Sequence, residues 1–399
     1  MVNLPWDILL DILVRLPLKS ISRFRCVNHF WNNELKHTKF LRAQRRFSSE
    51  MDKFNLMLHG HVDIDTFCYD PSLFTCEEYS HVEYPVKSLG MGIEVFGCCY
   101  GLFLLRHVSK FHECVLMLWN PTTNECKRLP NPQAGTKAEG REYEEYGLGY
   151  SARIKDFKVV HLTEALQEGM CEVQVYSLKS NSWRRVDNVE IEDLYWHGML
   201  HADAVRQTVG GAAHWLAYVE ATLEGQLILR FEFETEEFDG TLLPHFNSDL
   251  PPILCALGNS LCYFIDDSEV TSLWELKING EEKSWTKLFT IELTTLFGSI
   301  NSFMPLKSLR NGKIVLGLNS DKYLHIVLYD PKHDTVEALT VYETKVSTHC
   351  ISVFEESLQS LDTGTYLGKL LWEASQEEDE NDKNEEHDDD DDDGDGEEE

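Results

Sequence analysis

The stretch "LWNPTTNEC", Leu118 to Cys126, decides the fold, because its pattern returns as "VYSLKSNSW" from Val175, "RFEFETEEF" from Arg230 and "LYDPKHDTV" from Leu328. In each copy an aromatic residue is followed by turn formers, and an apolar residue or cysteine returns seven positions later. The pairs are Trp119 with Cys126, Tyr176 with Trp183, Phe231 with Phe238, and Tyr329 with Val336. "LWELKINGEEKSW" is the same unit with a longer loop and pairs Trp274 with Trp285, while "CYDPSLFTC", led by Tyr69, is a degenerate earlier copy. Asn, Pro, Asp and Gly supply turn geometry between apolar runs, so each copy reads as strand, tight turn, strand.

From Trp119 onward the leading aromatics lie 57, 55, 43 and 55 residues apart. A further apolar stretch precedes each unit: "GLFLL", "FKVVHL", "AHWLAY", "SLCYFI" and "KIVLGL". Four strands per repeat of this length is the arithmetic of a β-propeller blade. A stacked sandwich with irregular loops is the competing all-β answer. The fold class is mainly β with a small N-terminal α module: a helical unit over 1–48, a propeller-like domain over 54–372, and an acidic tail over 376–399.

The N-terminal unit shows helical spacing. Ile8, Leu9, Ile12, Leu13 and Leu16 line one face of a helix that starts near Pro5 and ends at Pro17. Ile21, Phe24, Val27 and Trp31 continue at steps of three, three and four, and Asn28 is placed to cap a third short helix reaching Leu35. "FLRAQRR", Phe40 to Arg46, reads as a basic hinge. A module of about 45 residues lies near the lower limit of independent stability, so it is expected to fold against a neighbour or a partner.

The segment "LPWDILLDILVRLPLKSISRFRCVNHFW" resembles the F-box, through Leu4-Pro5, Ile8-Leu9, Ile12-Leu13, Arg15-Leu16-Pro17, Lys19-Ser20, the run Arg23 to Val27, and Trp31. The resemblance implies a three-helix module that docks on a Skp-type adaptor, and through it on the cullin of a ubiquitin ligase. It assigns adaptor contact to Leu4, Pro5, Ile8, Leu9, Ile12, Leu16 and Pro17, with Phe24, Val27 and Trp31 as F-box core. The plainer reading is a helical arm packed on the β domain.

The repeat region is similar to the F-box-associated, Kelch-like domain of the large plant F-box families, on "LWNPTTNECKRLP", "VYSLKSNSWRRVD" and "EKSWTKLFTI". That resemblance implies a substrate receptor without catalytic residues or cofactor, acting in ubiquitination and proteasomal degradation. "SNSWRRVDNVEIEDLYW" followed by "AAHWLAY" resembles the S-locus F-box branch, for which the implied substrate is a pistil ribonuclease. Substrate contact is expected on loops between repeats, such as Asn131 to Gly147.

Charge narrows the partners. The formal net charge is −32, and residues 376–399 hold 17 Asp or Glu against one Lys. An acidic body disfavours nucleic acid and favours a basic protein substrate. The tail lacks apolar residues and is expected to be disordered. It reads either as a solubilising extension or as an electrostatic capture arm. Eleven scattered cysteines without zinc-type spacing read as small buried hydrophobes in a reducing compartment, and the longest apolar run is too short to span a bilayer. The chain is therefore expected in the cytoplasm and/or nucleus, with no membrane partner. "GLGYSA", Gly147 to Ala152, matches a loosened dinucleotide fingerprint but precedes a strand instead of opening a helix. "HGH" at His59 to His61 and "FHEC" at Phe111 to Cys114 lack a second ligand pair. Two rivals stay open: a propeller enzyme with a channel site, and an acidic binding protein or chaperone for basic clients.

Overall fold

The computed structural model describes residues 5–361 apart from 60–63, 71–74, 77–79, 82–83, 85–89, 110–113, 133–143, 165–169, 191–193, 196–206, 220–224, 245–251, 268–269, 280–281, 293–301, 321–322 and 344–349. The tail at 376–399, most of the loop from Asn131 to Gly147, and the centres of "HGH" and "FHEC" lie outside these described residues.

Four helices open the chain: α1 (Trp6–Leu13), α2 (Leu18–Arg25), α3 (His29–Lys36) and α4 (Thr38–Glu50). Pro5 and Pro17 stand just before α1 and α2, where a missing amide hydrogen and a fixed φ do no harm. Asn28 caps α3, its Oδ1 accepting from the Trp31 amide at 3.0 Å. The segment Phe40 to Arg46 is a correction to the hinge expected there. It lies inside α4, because Phe40 is buried in the helical core and gives that helix an apolar face.

After α4 comes a six-bladed propeller. Blade 1 spans Gly90 to Arg128, blade 2 Glu144 to Glu190, blade 3 Leu194 to Leu242, blade 4 Ile253 to Ile291, and blade 5 Ser302 to Glu343. Blade 6 is made from both ends of the domain: Cys350–Phe354 pairs antiparallel with Phe54–His59, which pairs with Ile64–Asp70. Each apolar stretch that preceded a repeat unit lies in the second strand of its blade, and each unit is the hairpin of the third and fourth strands.

The pairs read seven positions apart are cross-strand partners: Trp119 faces Cys126, Tyr176 Trp183, Phe231 Phe238, Tyr329 Val336, and in blade 6 Tyr69 faces Cys76. The residue five positions after the leading aromatic has positive φ in four copies, at Asn124, Asn181, Glu236 and Asp334. Asn and Asp tolerate this left-handed conformation better than most residues. In two copies the leading tyrosine also ties the turn, with Tyr176 Oη donating to Asn181 Oδ1 at 2.8 Å and Tyr329 Oη to Asp334 Oδ1 at 3.0 Å. The Trp274 with Trp285 pairing is corrected by two residues. The ladder runs unbroken from the hairpin end, Asn279 opposite Glu282, and so sets Trp285 against Leu276 and Trp274 against Lys287; a bulge at Leu273/Trp274 follows only beyond these pairs.

Apolar faces of neighbouring blades close a ring of cores. One, between blades 1 and 2, holds Leu102, Leu104, Leu118, Leu148, Val159 and Tyr176. Trp119, Tyr176, Trp183, Phe231 and Tyr329 are buried in these cores, whereas Phe238, Trp274 and Trp285 are half-buried. Cys26, Cys68, Cys98, Cys99, Cys114, Cys126, Cys171, Cys255 and Cys262 are free, and five of these nine are buried. Burial pushes the Cys99 thiol up to about 12, which keeps it protonated as a packing group.

The "GLGYSA" glycines serve this packing. Gly147 and Gly149 lie in a strand, Glu144–Ser151, at the contact of blades 2 and 3. A Cβ on Gly147 would stand 2.7 Å from the Ala213 Cβ, and one on Gly149 would stand 2.0 Å from the Phe233 ring. Gly149→Ala is therefore expected to destabilise the protein by about 1–3 kcal/mol through overpacking. Urea unfolding measures it, and a variant that unfolds like the parent would remove the close approach of these blades.

Candidate functional site

The helical module builds a core that Leu358, from the end of the propeller, completes, and it leaves other apolar side chains outside it. Leu13, Leu18, Ile21, Leu35 and Phe40 form the core, with Leu9, Leu16 and Trp31 half-buried against it. On the outside of α1, Ile8 and Ile12 are each 48% exposed, one helical turn apart. At the corner of α2 and α3, Phe24 is 38% exposed, Val27 62% and Phe30 57%. Trp6 brings α1 to the same corner, with its ring 5.9 Å from Phe30 and 6.3 Å from Trp31. Phe24 and Phe30 stand 6.4 and 6.0 Å from Trp31.

Pro5, Ile8, Ile12 and Pro17 are thus exposed, as an adaptor surface requires, while Leu9 and Leu16 give part of their surface to the module's core. Leu4 lies outside the described residues. Phe24 and Val27 are a correction, since both are at the surface and not in the core. The apolar spacing from Ile21 to Trp31 reads as one stripe, but it crosses the break between α2, which ends at Arg25, and α3, which starts at His29, and Phe24 and Val27 turn outward there. Trp31, being half-buried, is expected to cost less on replacement by alanine than fully buried Phe40, for which about 3–5 kcal/mol is expected. Equal losses in thermal unfolding would contradict the placement.

The module is fastened to the propeller by a segment that carried no signal of its own, Glu355 to Leu361. Leu358 completes the helical core, and Leu361 enters the core between blades 1 and 2. Asn120 Nδ2, in the first repeat unit, donates to the carbonyls of Ser357 at 3.0 Å and Gln359 at 2.8 Å. Glu125 accepts from Ser360 Oγ at 3.0 Å and from the Leu361 amide at 2.8 Å, and its carboxylate lies 3.5 Å from the Arg25 guanidinium of α2. Both ionic side chains are almost wholly buried. Gly101 belongs to the same contact, because its φ is +76° and a Cβ there would meet Ser357 Cβ at 2.5 Å. Arg45 of α4 stacks 3.7 Å over the Tyr100 ring, and the Arg310 amide donates to Asp52 at 3.1 Å. Leu358→Ala is expected to cost about 2–5 kcal/mol and to loosen the module first. Hydrogen exchange would show α2 to α4 losing protection ahead of the blades, and unchanged protection would refute the anchoring role.

All of these contacts lie on the face where the first strand of each blade turns into the second. The connections between blades leave from the other face, including that from Arg128 to Glu144 with the expected recognition loop. Two blades are pinned together beneath this connection. Arg106 meets Glu94 at 2.6 Å and Glu144 at 3.5 Å, and Tyr146 Oη donates to Glu144 at 3.2 Å while stacking on His161 at 4.5 Å. Burial first, and then the Glu144 charge, pushes the Tyr146 phenol well up, so it remains a hydrogen-bond donor. This arrangement fixes a loop base.

An F-box-type helical module on a six-bladed propeller defines the class. The family described as "F-box domain" matches residues 1–42, and that described as "F-box associated beta propeller domain" matches residues 51–361. The chain belongs to this family of F-box proteins with an F-box-associated propeller. It is similar to F-box protein CPR1 of Arabidopsis thaliana, 29% identical over 359 residues that cover 84% of each chain. It is also similar to F-box/kelch-repeat protein At3g23880 of Arabidopsis thaliana, 27% identical over 74% of this chain and 81% of that one. No helix among the described residues is long and apolar enough to cross a membrane.

Proposed function

We propose that the protein is the substrate-recognition subunit of an SCF ubiquitin ligase. Its helical module holds a Skp-type adaptor, and through it the cullin, while the propeller holds a protein substrate on the face away from the module. The observation that carries this reading is the set of exposed side chains Ile8, Ile12, Phe24, Val27 and Phe30 on a module whose core Leu358 already completes. Apolar surface that remains after a core is complete marks a protein contact. Family membership supports assigning that contact to the adaptor. Ubiquitin transfer then takes place on other subunits, in the cytoplasm and/or nucleus, and this chain supplies binding and orientation only.

The acidic body favours a substrate with a basic docking face, which complementary fields would bring in at a salt-dependent rate. A pistil ribonuclease, implied by the S-locus resemblance, would be one member of that class. Isothermal titration of the purified protein with a Skp-type adaptor tests the reading. The double variant Ile8→Ala, Ile12→Ala should unfold like the parent, because both residues are half exposed, yet lose about 2 kcal/mol or more of binding energy per residue. Undiminished adaptor binding by the variant would overturn the assigned surface. A parent protein that binds no adaptor, while capturing basic proteins, would favour an acidic binding protein or chaperone.

A further inference from the structure

The helical module contains a run of charge opposite in sign to that of the chain as a whole. From Arg15 to Arg46 there are nine Lys or Arg and one Glu, a local net of +8 in a chain of net −32. α4 alone holds Lys39, Arg42, Arg45 and Arg46 against Glu50. The fold brings further cations beside it. Arg45 lies over Tyr100, and Tyr100 packs edge-on against Tyr150 at 5.4 Å. Tyr150 in turn leads into an exposed turn bearing Arg153 and Lys155. Lys179, on the neighbouring hairpin, donates to the Ile154 carbonyl of that turn at 2.5 Å. Lys39 lies 3.9 Å from Asp7, Arg46 2.8 Å from Glu50 and Arg153 3.8 Å from Glu234. Among the described residues, no carboxylate forms an ion pair with Arg42, Arg45 or Lys155.

The chain itself is delivered to this collar. Leu361 is buried in the core against which Tyr150 packs, and its amide is held by Glu125. The run with 17 acidic residues begins at Gln376, 15 positions later. Fifteen residues span about 50 Å when extended and about 20 Å as a flexible coil, and the 13-residue α4 is about 20 Å long. From its anchor the acidic run therefore has a reach at least as long as α4 itself.

We propose that the collar of Arg42, Arg45 and Lys155, with Lys39 and Lys179 at its edges, is the docking surface for the chain's own acidic segment 376–399, bound in cis. Tethering holds the segment at an effective concentration of the order of millimolar, so exposed ion pairs that are weak one by one suffice together. A basic client then meets the acidic segment only by displacing it from the collar, and other polyanions are kept from the α4 cations while it is bound. The inference stands apart from the ligase reading, because it uses only charge, anchor and reach.

Zero-length carbodiimide coupling of the full-length protein, followed by peptide mapping, tests it. At about 0.01 M salt, where the screening length is about 30 Å, carboxylates of 376–399 should couple to Lys39, Lys155 and Lys179. The yield should not depend on protein concentration. At about 1 M salt, with a screening length of about 3 Å, these links should be largely lost. Arg42→Glu, a reversal at an exposed position, should lower them several-fold without changing the thermal unfolding. Links spread evenly to distant exposed lysines such as Lys277 and Lys332 would overturn the proposal. So would links that rise with protein concentration, which would make a second copy the occupant, and links indifferent to salt or to Arg42→Glu.

Discussion

The antiparallel pairing of Cys350–Phe354 with Phe54–His59 is the contact on which the rest depends. It joins residues such as His59 and Ser352, 293 positions apart in the chain, and it supplies the innermost strand of blade 6. Closing so long a loop costs entropy that grows only slowly with length, and ladder hydrogen bonds together with the burial of Leu56, Leu58 and Ile351 offset it. Without this strand, Ile351 and Phe354 would be missing from the cores that blade 6 shares with blades 5 and 1, and Phe54–His59 would be left as an unpaired edge. Such non-local pairing is intrinsically slow to form, because the entropy of loop closure comes before the contacts that offset it.

The same strand positions the helical module. Seven residues beyond the ladder place Leu358 in one core and Leu361 in another, while the Asn120 amide and Glu125 carboxylate hold the chain between them. The buried Arg25 and Glu125 pair adds more to geometry than to net stability, since desolvation cancels much of its attraction. A residue of an ordinary repeat turn has thereby acquired a second task. The module that presents Ile8 and Ile12 and the face that carries the inter-blade loops are held at opposite ends of one packed body. A receptor joining an adaptor to a substrate needs that separation.

Much of this architecture was legible in the residues themselves. The pairs at seven-residue spacing, from Trp119 with Cys126 to Tyr329 with Val336, are hairpin partners because a four-residue turn with one left-handed position fixes register locally. Asn28 announced α3 for a similar reason, since its side chain satisfies an amide three residues away. Where a local rule was applied beyond its element it failed. Trp274 and Trp285 missed each other by two residues because the hairpin closes at Asn279 and Glu282, Phe24 and Val27 turned outward at a helix break, and the basic run from Phe40 to Arg46 became part of α4 once Phe40 found a core.

What the sequence determined alone was therefore a set of local units: the first three helices with the Asn28 cap, and the repeat hairpins with their register. Each depends on residues only a few positions apart, so its physics is written in the spacing. Tertiary structure alone decided the number of blades, the closing strand, the Leu358 and Glu125 anchor, and the gathering of α4 with Arg153, Lys155 and Lys179 on one face. These depend on groups far apart in the chain, such as Arg25 and Glu125, whose meeting depends on how the blades pack. Gly149 shows the difference in a single residue: its neighbours in sequence suggest a nucleotide loop, whereas Phe233 in the next blade explains why no side chain fits.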